Sequence, residues 1–225
     1  MRARASRLFV VTGAVALAVG CAELPGGEDE AGVVRSVGST CVVIDRNEGT
    51  VADAHVWQQK PDKNWGGSNS LTTSRGSVGD RQALLYFDTS AIPQDAVVES
   101  ATLTLNVLLY GGAPVDVYRI KEPWSEGTVT WNSFGSNYDR TEIWTTLPGS
   151  SPTSADLTAL VQEWVRFAGA GTPGFMNRGM LLNRVTGGST VFASSECATS
   201  GTCGASDLQP RLEVCYSIGS PIELF

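Results

Sequence analysis

The stretch Ala101-Thr102-Leu103-Thr104-Leu105-Asn106-Val107 alternates apolar and polar residues. A period of two belongs to a strand with one face buried, because successive side chains point to opposite faces. The same reading spreads outward in both directions. Ala83-Leu84-Leu85-Tyr86-Phe87 is a short apolar run that fits a more deeply buried strand, and Val115-Asp116-Val117-Tyr118-Arg119-Ile120 alternates again after the turn Gly111-Gly112-Ala113-Pro114. Further strand signals lie at Ala52–Trp57, Met180–Leu182, Thr190–Ala193 and Arg211–Tyr216. Many short strands joined by Gly- and Pro-rich turns predict an all-β fold, a β-sandwich with jelly-roll topology. One short capping helix interrupts them: Leu157, Leu160, Val161 and Trp164 follow i, i+3, i+4, i+7 spacing, with Asp156 or Thr158 as N-cap.

The N-terminus reads as an export signal. Arg2, Arg4 and Arg7 precede the apolar run Leu8–Val19, and Gly20-Cys21 closes it. Leu17-Ala18-Val19-Gly20-Cys21 resembles a bacterial lipobox, which implies acylation of Cys21 and a membrane-anchored lipoprotein of the cell envelope. The run is short for a membrane span. Residues 22–40 are rich in Gly and acids and lack periodicity, as a tether does. The expected organisation is a signal peptide over 1–20, a tether over 21–40, a sandwich over 41–218 and a tail over 219–225. Ala22 after the lipidated cysteine is compatible with outer-membrane sorting.

Removing residues 1–20 takes three of 16 basic residues and none of 23 acids, leaving a formal net charge of −10. That balance argues against nucleic acid and anionic lipid as main partners. With Cys21 lipidated, Cys41, Cys197, Cys203 and Cys215 remain, an even set suited to an oxidising compartment. Of three connectivities, spacing favours Cys197–Cys203 across a five-residue loop and Cys41–Cys215 between the first and last strand-like segments. Zinc is disfavoured, with no CxxC and His55 as the lone histidine.

The sequence shows few groups able to carry catalysis. A triad would have to run through His55, which sits in a strand-like segment and reads as structural. No Gly-rich phosphate loop precedes a helix. Asp53, Asn64, Asn69 and Asp88 offer oxygen ligands, but their spacing matches no EF-hand loop, so no cofactor is expected; a structural calcium stays open as an alternative that the spacing does not support. The six tryptophans say more. Indole rings stack on the C–H faces of sugars, yet they also dominate cores. Trp164 belongs to the core by helix periodicity, and at least one of Trp124 and Trp131 should pack inward. Trp57, Trp65 and Trp144 lie near polar or Gly-rich loops and are the candidate ligand-binding residues.

Several segments, in order, resemble the DNRLRE-domain family of carbohydrate-binding-module-like jelly rolls. They are Ala52–Val56, Asn64-Trp65-Gly66-Gly67, Arg81–Asp88, Ala91-Ile92-Pro93 with Val98–Leu103, Trp124-Ser125-Glu126 with Val129–Asn132, Asp156–Trp164, Phe192–Glu196 and Gln209–Leu212. Asn177-Arg178-Gly179 departs from the family's Asn-Gly. The resemblance implies a non-catalytic module that binds polysaccharide or a cell-surface glycan. The alternative is a structural or adhesive domain with protein partners; a polysaccharide lyase is least favoured.

Overall fold

The computed structural model describes residues 38–48, 50–77, 79–168, 176–184, 186–197 and 208–219. Cys21, the signal segment, Cys203 and most of the tether and tail lie outside them. The described residues fall within one unit that begins at Arg35. In chain order the elements are β1 (Thr40–Ile44), β2 (Val51–Trp57), β3 (Ser70–Arg75), β4 (Arg81–Phe87), β5 (Ala96–Leu105), β6 (Val107–Leu109), β7 (Val115–Arg119), α1 (Trp131–Phe134), β8 (Thr145–Leu147), β9 (Thr153–Asp156), α2 (Thr158–Phe167), β10 (Met180–Arg184), β11 (Gly188–Ala193) and β12 (Arg211–Ile218).

These strands form an all-β sandwich of two antiparallel sheets. One runs β1-β12-β5-β9; the other runs β6-β11-β3-β4-β10-β7-β8, with β2 paired to β4. The alternating stretch that opens the reading crosses between them. At Asn106 it leaves β5 in the first sheet and enters β6 in the second, while the Asn106 carbonyl accepts from Ala193 N–H. The terminal strands β1 and β12 are neighbours, and Cys41 sits opposite Cys215 in register and is joined to it by a disulfide. Cys197 is disulfide-bonded as well.

Two cores follow from the period of two. Ala83, Leu85 and Phe87 of β4 face an inner core shared with Leu71, Leu103, Phe192 and Trp164. Leu84 points the opposite way, into an outer core with Ala54, Val56, Tyr118, Val129, Phe134 and Leu181. Both faces of β4 are therefore covered, as its unbroken apolar run predicts.

The long helix is α2, and it buries Leu160, Val161, Trp164 and Val165. Its N-cap position is Leu157, one residue off the expected choice, and it has no side-chain cap of its own. Asp156 Oδ1 instead accepts from Thr158 N–H at 2.8 Å. The helix also completes a sheet edge. β9 pairs only with Thr102–Leu105, so the edge of β5 before Thr102 needs other partners. Gln162 Oε1 accepts from Val98 N–H and Thr158 Oγ1 from Ala101 N–H, which satisfies that exposed backbone.

Where the sequence pattern predicts one helix, the described residues hold a second, α1. α1 is a single turn, too short for a 3.6 period to register, and is fixed by a reciprocal capping box between Thr130 and Ser133. β3 also escapes pattern reading, because Ser-Leu-Thr-Thr-Ser-Arg carries one large apolar residue. Its buried hydroxyls are matched locally, with Thr73 donating to the Thr190 carbonyl and Ser74 to the Gly79 carbonyl.

Candidate functional site

The outer core is roofed by the segment Lys121–Tyr138, which leaves β7, makes a turn at Ser125–Val129 and enters α1. Its attachment is polar. Asn64 Nδ2 donates to the carbonyls of Glu126 at 2.7 Å and Val129 at 2.8 Å, while its Oδ1 accepts from Gly66 N–H. Gly66 has to be glycine, since a Cβ there would collide with the Glu126 carbonyl oxygen. Asn177-Arg178-Gly179 repeats the device on the other side. Asn177 Nδ2 donates to the Phe87 carbonyl at 2.8 Å and its Oδ1 accepts from Gly179 N–H at 3.0 Å. The departure from Asn-Gly thus places a side chain, Arg178, between two residues that hold the turn.

Trp124 stands between two clefts under this roof. Its indole N–H donates to the Arg178 carbonyl at 2.9 Å, which fixes the ring. One cleft, of about 420 Å³, is lined by Trp124, Glu122, Thr128, Ser133 and Asn137 among others. The second, of about 380 Å³, lies against Trp124, Tyr86, Glu126, Asn177 and Arg178. Aromatic faces beside amide, hydroxyl and guanidinium groups match what a sugar offers, an apolar C–H face rimmed by hydroxyls.

The structure brings together two of the three tryptophans expected to bind ligand. Trp57 and Trp65 have ring centroids 5.9 Å apart and both are half-buried. Each already carries a partner: the Arg81 guanidinium lies 3.8 Å over Trp57 and the Lys63 amine 3.8 Å over Trp65. His55 stacks on Trp65 at 5.1 Å. Trp144 is elsewhere, half-buried against the inner core. Pattern reasoning passed over Trp124, Tyr86, Asn177 and Arg178, which lie on separate segments and meet only in space. The Trp-Ser-Glu segment was the signal that could have found the first.

Behind the roof lies a charged cluster. β2 pairs only with β4, so its other edge needs partners, and Asp53 N–H donates to Glu126 Oε1 at 2.9 Å. Asp53 Oδ2 accepts from Ser195 N–H at 2.7 Å. Arg46 lies 3.6 Å from Glu126 and 3.5 Å from Glu196. Burial pushes the Asp53 carboxyl well above the usual carboxylate range, and the nearby Glu196 charge adds to it. Burial also raises Glu126. The two glutamates are further residues that spacing could not assemble. Asn64 and Asp88, which the sequence offered with Asp53 as oxygen donors, do not join it. Asn64 is spent on the roof, and Asp88 accepts from Ser90 N–H.

His55 is poorly placed as a base. It is buried and lies beside the Ser70 carbonyl at Nδ1, and desolvation lowers its pKa to about 4. The ring is neutral at physiological pH, and it meets the Ser70 carbonyl and the Trp65 indole rather than a nucleophile.

The model of carbohydrate-binding module family 96 matches residues 47–201. The chain belongs to that family. The matched span contains β2 to β11 and the residues that line the Trp124 clefts, while β1 and β12, joined by Cys41–Cys215, flank it. Membership in carbohydrate-binding module family 96 makes the domain a carbohydrate-binding module, a kind of unit that is typically non-catalytic. No curated protein matches the chain.

Proposed function

We propose that the protein is a cell-envelope lipoprotein, anchored through acylated Cys21, whose sandwich holds a neutral polysaccharide without cleaving it. One observation carries this reading: Trp124, oriented by its bond to the Arg178 carbonyl, separates two open clefts lined by sugar-compatible groups. The net charge of −10 after signal removal, and the presence of Glu122 and Glu126 beside Arg178 among the described cleft-lining residues, favour a neutral polymer. Charge weighs lightly here, because it is screened beyond about 8 Å at physiological salt. Of the motifs similar to the DNRLRE-domain family, Trp124-Ser125-Glu126 with Val129–Asn132 lies on this roof, and Asn64-Trp65-Gly66-Gly67 supplies the amide that pins it.

A second reading concerns an acidic polymer and rests on the Trp57–Trp65 pair. Lys63 and Arg81 over those rings would pair with uronate carboxylates while the indoles stack on the sugar. Arg184, by contrast, is fully buried and committed to Gly111, Gly187 and Thr190.

Affinity electrophoresis through gels containing neutral or acidic polysaccharides separates the readings. Trp124→Ala should abolish retardation by a neutral polymer, with Trp144→Ala as a comparison outside the cleft. Retardation by acidic polymers alone, lost in Trp57→Ala, moves the site to the Trp57–Trp65 pair. If no polymer retards the wild type, the adhesive reading leads, and the exposed Leu108, Leu109 and Tyr110 beside edge strand β6 become its first test. Mass spectrometry of the mature N-terminus checks the anchor: an unmodified terminus other than Cys21 would overturn it.

A further inference from the structure

Asp53, Glu126 and Glu196 come from three distant parts of the chain, yet one carboxylate oxygen from each lies within 4.8 Å of the others. Three carboxylates at such range repel one another strongly unless protons or cations intervene. Arg46 supplies one positive charge, and it reaches Glu126 and Glu196. That leaves a formal charge of −2 in a partly buried site. Asp53 is the decisive member. It is fully buried, its Oδ2 is spent on Ser195 N–H, and its Oδ1 is buried with no hydrogen-bond partner among the described residues. An unpaired buried carboxylate oxygen is costly, and this one belongs to a carboxylate drawn in among two others.

We propose that Asp53, Glu126 and Glu196 bind one calcium ion. Calcium takes six to eight oxygen ligands at about 2.3–2.6 Å, so two oxygens sharing it lie at most about 5 Å apart. The observed spacing meets that limit. All three donors are carboxylate oxygens, which suits a hard cation and not zinc; the nearest histidine, His55, turns its Nδ1 to the Ser70 carbonyl. A divalent ion cancels the residual charge and gives Asp53 Oδ1 its missing partner. It also ties together β2, the roof that presents Trp124 and the turn Ser194–Cys197. The ion would therefore stabilise the domain and hold the cleft wall, with no part in chemistry.

The test uses full-length protein stripped with EDTA and needs no sugar, so its outcome is independent of the glycan reading. Titration with calcium chloride should show one site per chain by calorimetry. At a hundredfold excess over Kd, Tm should rise by roughly 5–10 °C. Glu196→Gln and Asp53→Asn should abolish both signals, whereas Asp88→Asn should keep them. Should Asp53→Asn fail to fold, Glu196→Gln carries the test. The proposal is overturned if calcium gives no heat and no shift, or if potassium at equal ionic strength gives the same shift. It is overturned as well if Glu196→Gln binds calcium like the wild type. Gain of stability by metal-free Asp53→Asn, with no further gain from calcium in the wild type, would assign the site to a buried proton.

Discussion

The inner and outer cores of this sandwich are built on different principles. The inner core lies between the two sheets and is made chiefly of apolar side chains, with Trp164, Phe87, Phe192 and Leu103 fully buried. The outer core covers the back of β2, β4, β7 and β10 and has no second sheet over it. Its roof is an irregular segment pinned by amide side chains, a close-approach glycine and a charged cluster. Apolar burial dominates the first; satisfied polar groups fix the roof of the second. The proposed sugar site lies at the second, where irregular backbone presents an oriented ring beside open clefts.

The difference predicts a graded response to substitution. The largest effect belongs to the frame of the inner core. Cys41 and Cys215 are separated by 174 residues, and replacing both with Ala should cost about 5 kcal/mol on the chain-entropy account. Urea denaturation measures it, and a loss near zero would mean that β1 contributes little to the sandwich.

Trp164→Ala comes next, at about 3–5 kcal/mol, as a large-to-small change in a packed core. It should lower stability with no change in glycan retention by the molecules that stay folded. Loss of retention among folded molecules would show that the two cores are energetically one.

Asn64→Ala should give the reverse pattern. It leaves the Glu126 and Val129 carbonyls without their shared donor, at about 1–3 kcal/mol, and loosens the roof that carries Trp124. Retention by polysaccharide should fall while far-UV circular dichroism stays that of the wild type. Unchanged retention would detach the Trp124 clefts from ligand binding.

The smallest effect is electrostatic and lies at the rim of the roof. Donors from the Thr141 side chain and backbone, with Arg119 beyond them, hold the Asp139 carboxyl down to about 2. A depressed carboxylate stabilises the fold above its ordinary pKa near 4 and loses that contribution as pH falls toward 2. Asp139→Asn should flatten this acid limb of the stability curve only slightly, because the group is near the surface. A large change would place Asp139 in the roof's main support.

Much of the frame was legible in local pattern. The alternation at Ala101–Leu105, the unbroken apolar run of β4, the spacing of Leu157 to Trp164 and the cysteines in the terminal strands each carry their structural meaning within a few residues. β3 and α1 were not legible, since one is a polar strand buried by its neighbours and the other is a single turn fixed by two hydroxyls.

The site divides along the same line. The sequence by itself put the weight on tryptophan rather than histidine or cysteine, because residue supply is countable. Only the tertiary structure tells the tryptophans apart by their surroundings. Trp57 meets Trp65 but each ring already holds a cation, Trp144 leans on the inner core, and Trp124 is left between open clefts beside Tyr86, Asn177 and Arg178. The carboxylates follow suit. Asp53 stands in the sequence as one of several residues able to offer oxygens, but Glu126 and Glu196, which lie beside it in space, are more than seventy residues away in sequence. Periodicity reports which face a residue occupies within one strand; which strands, turns and loops come to share an edge is set by sheet pairing across the whole chain.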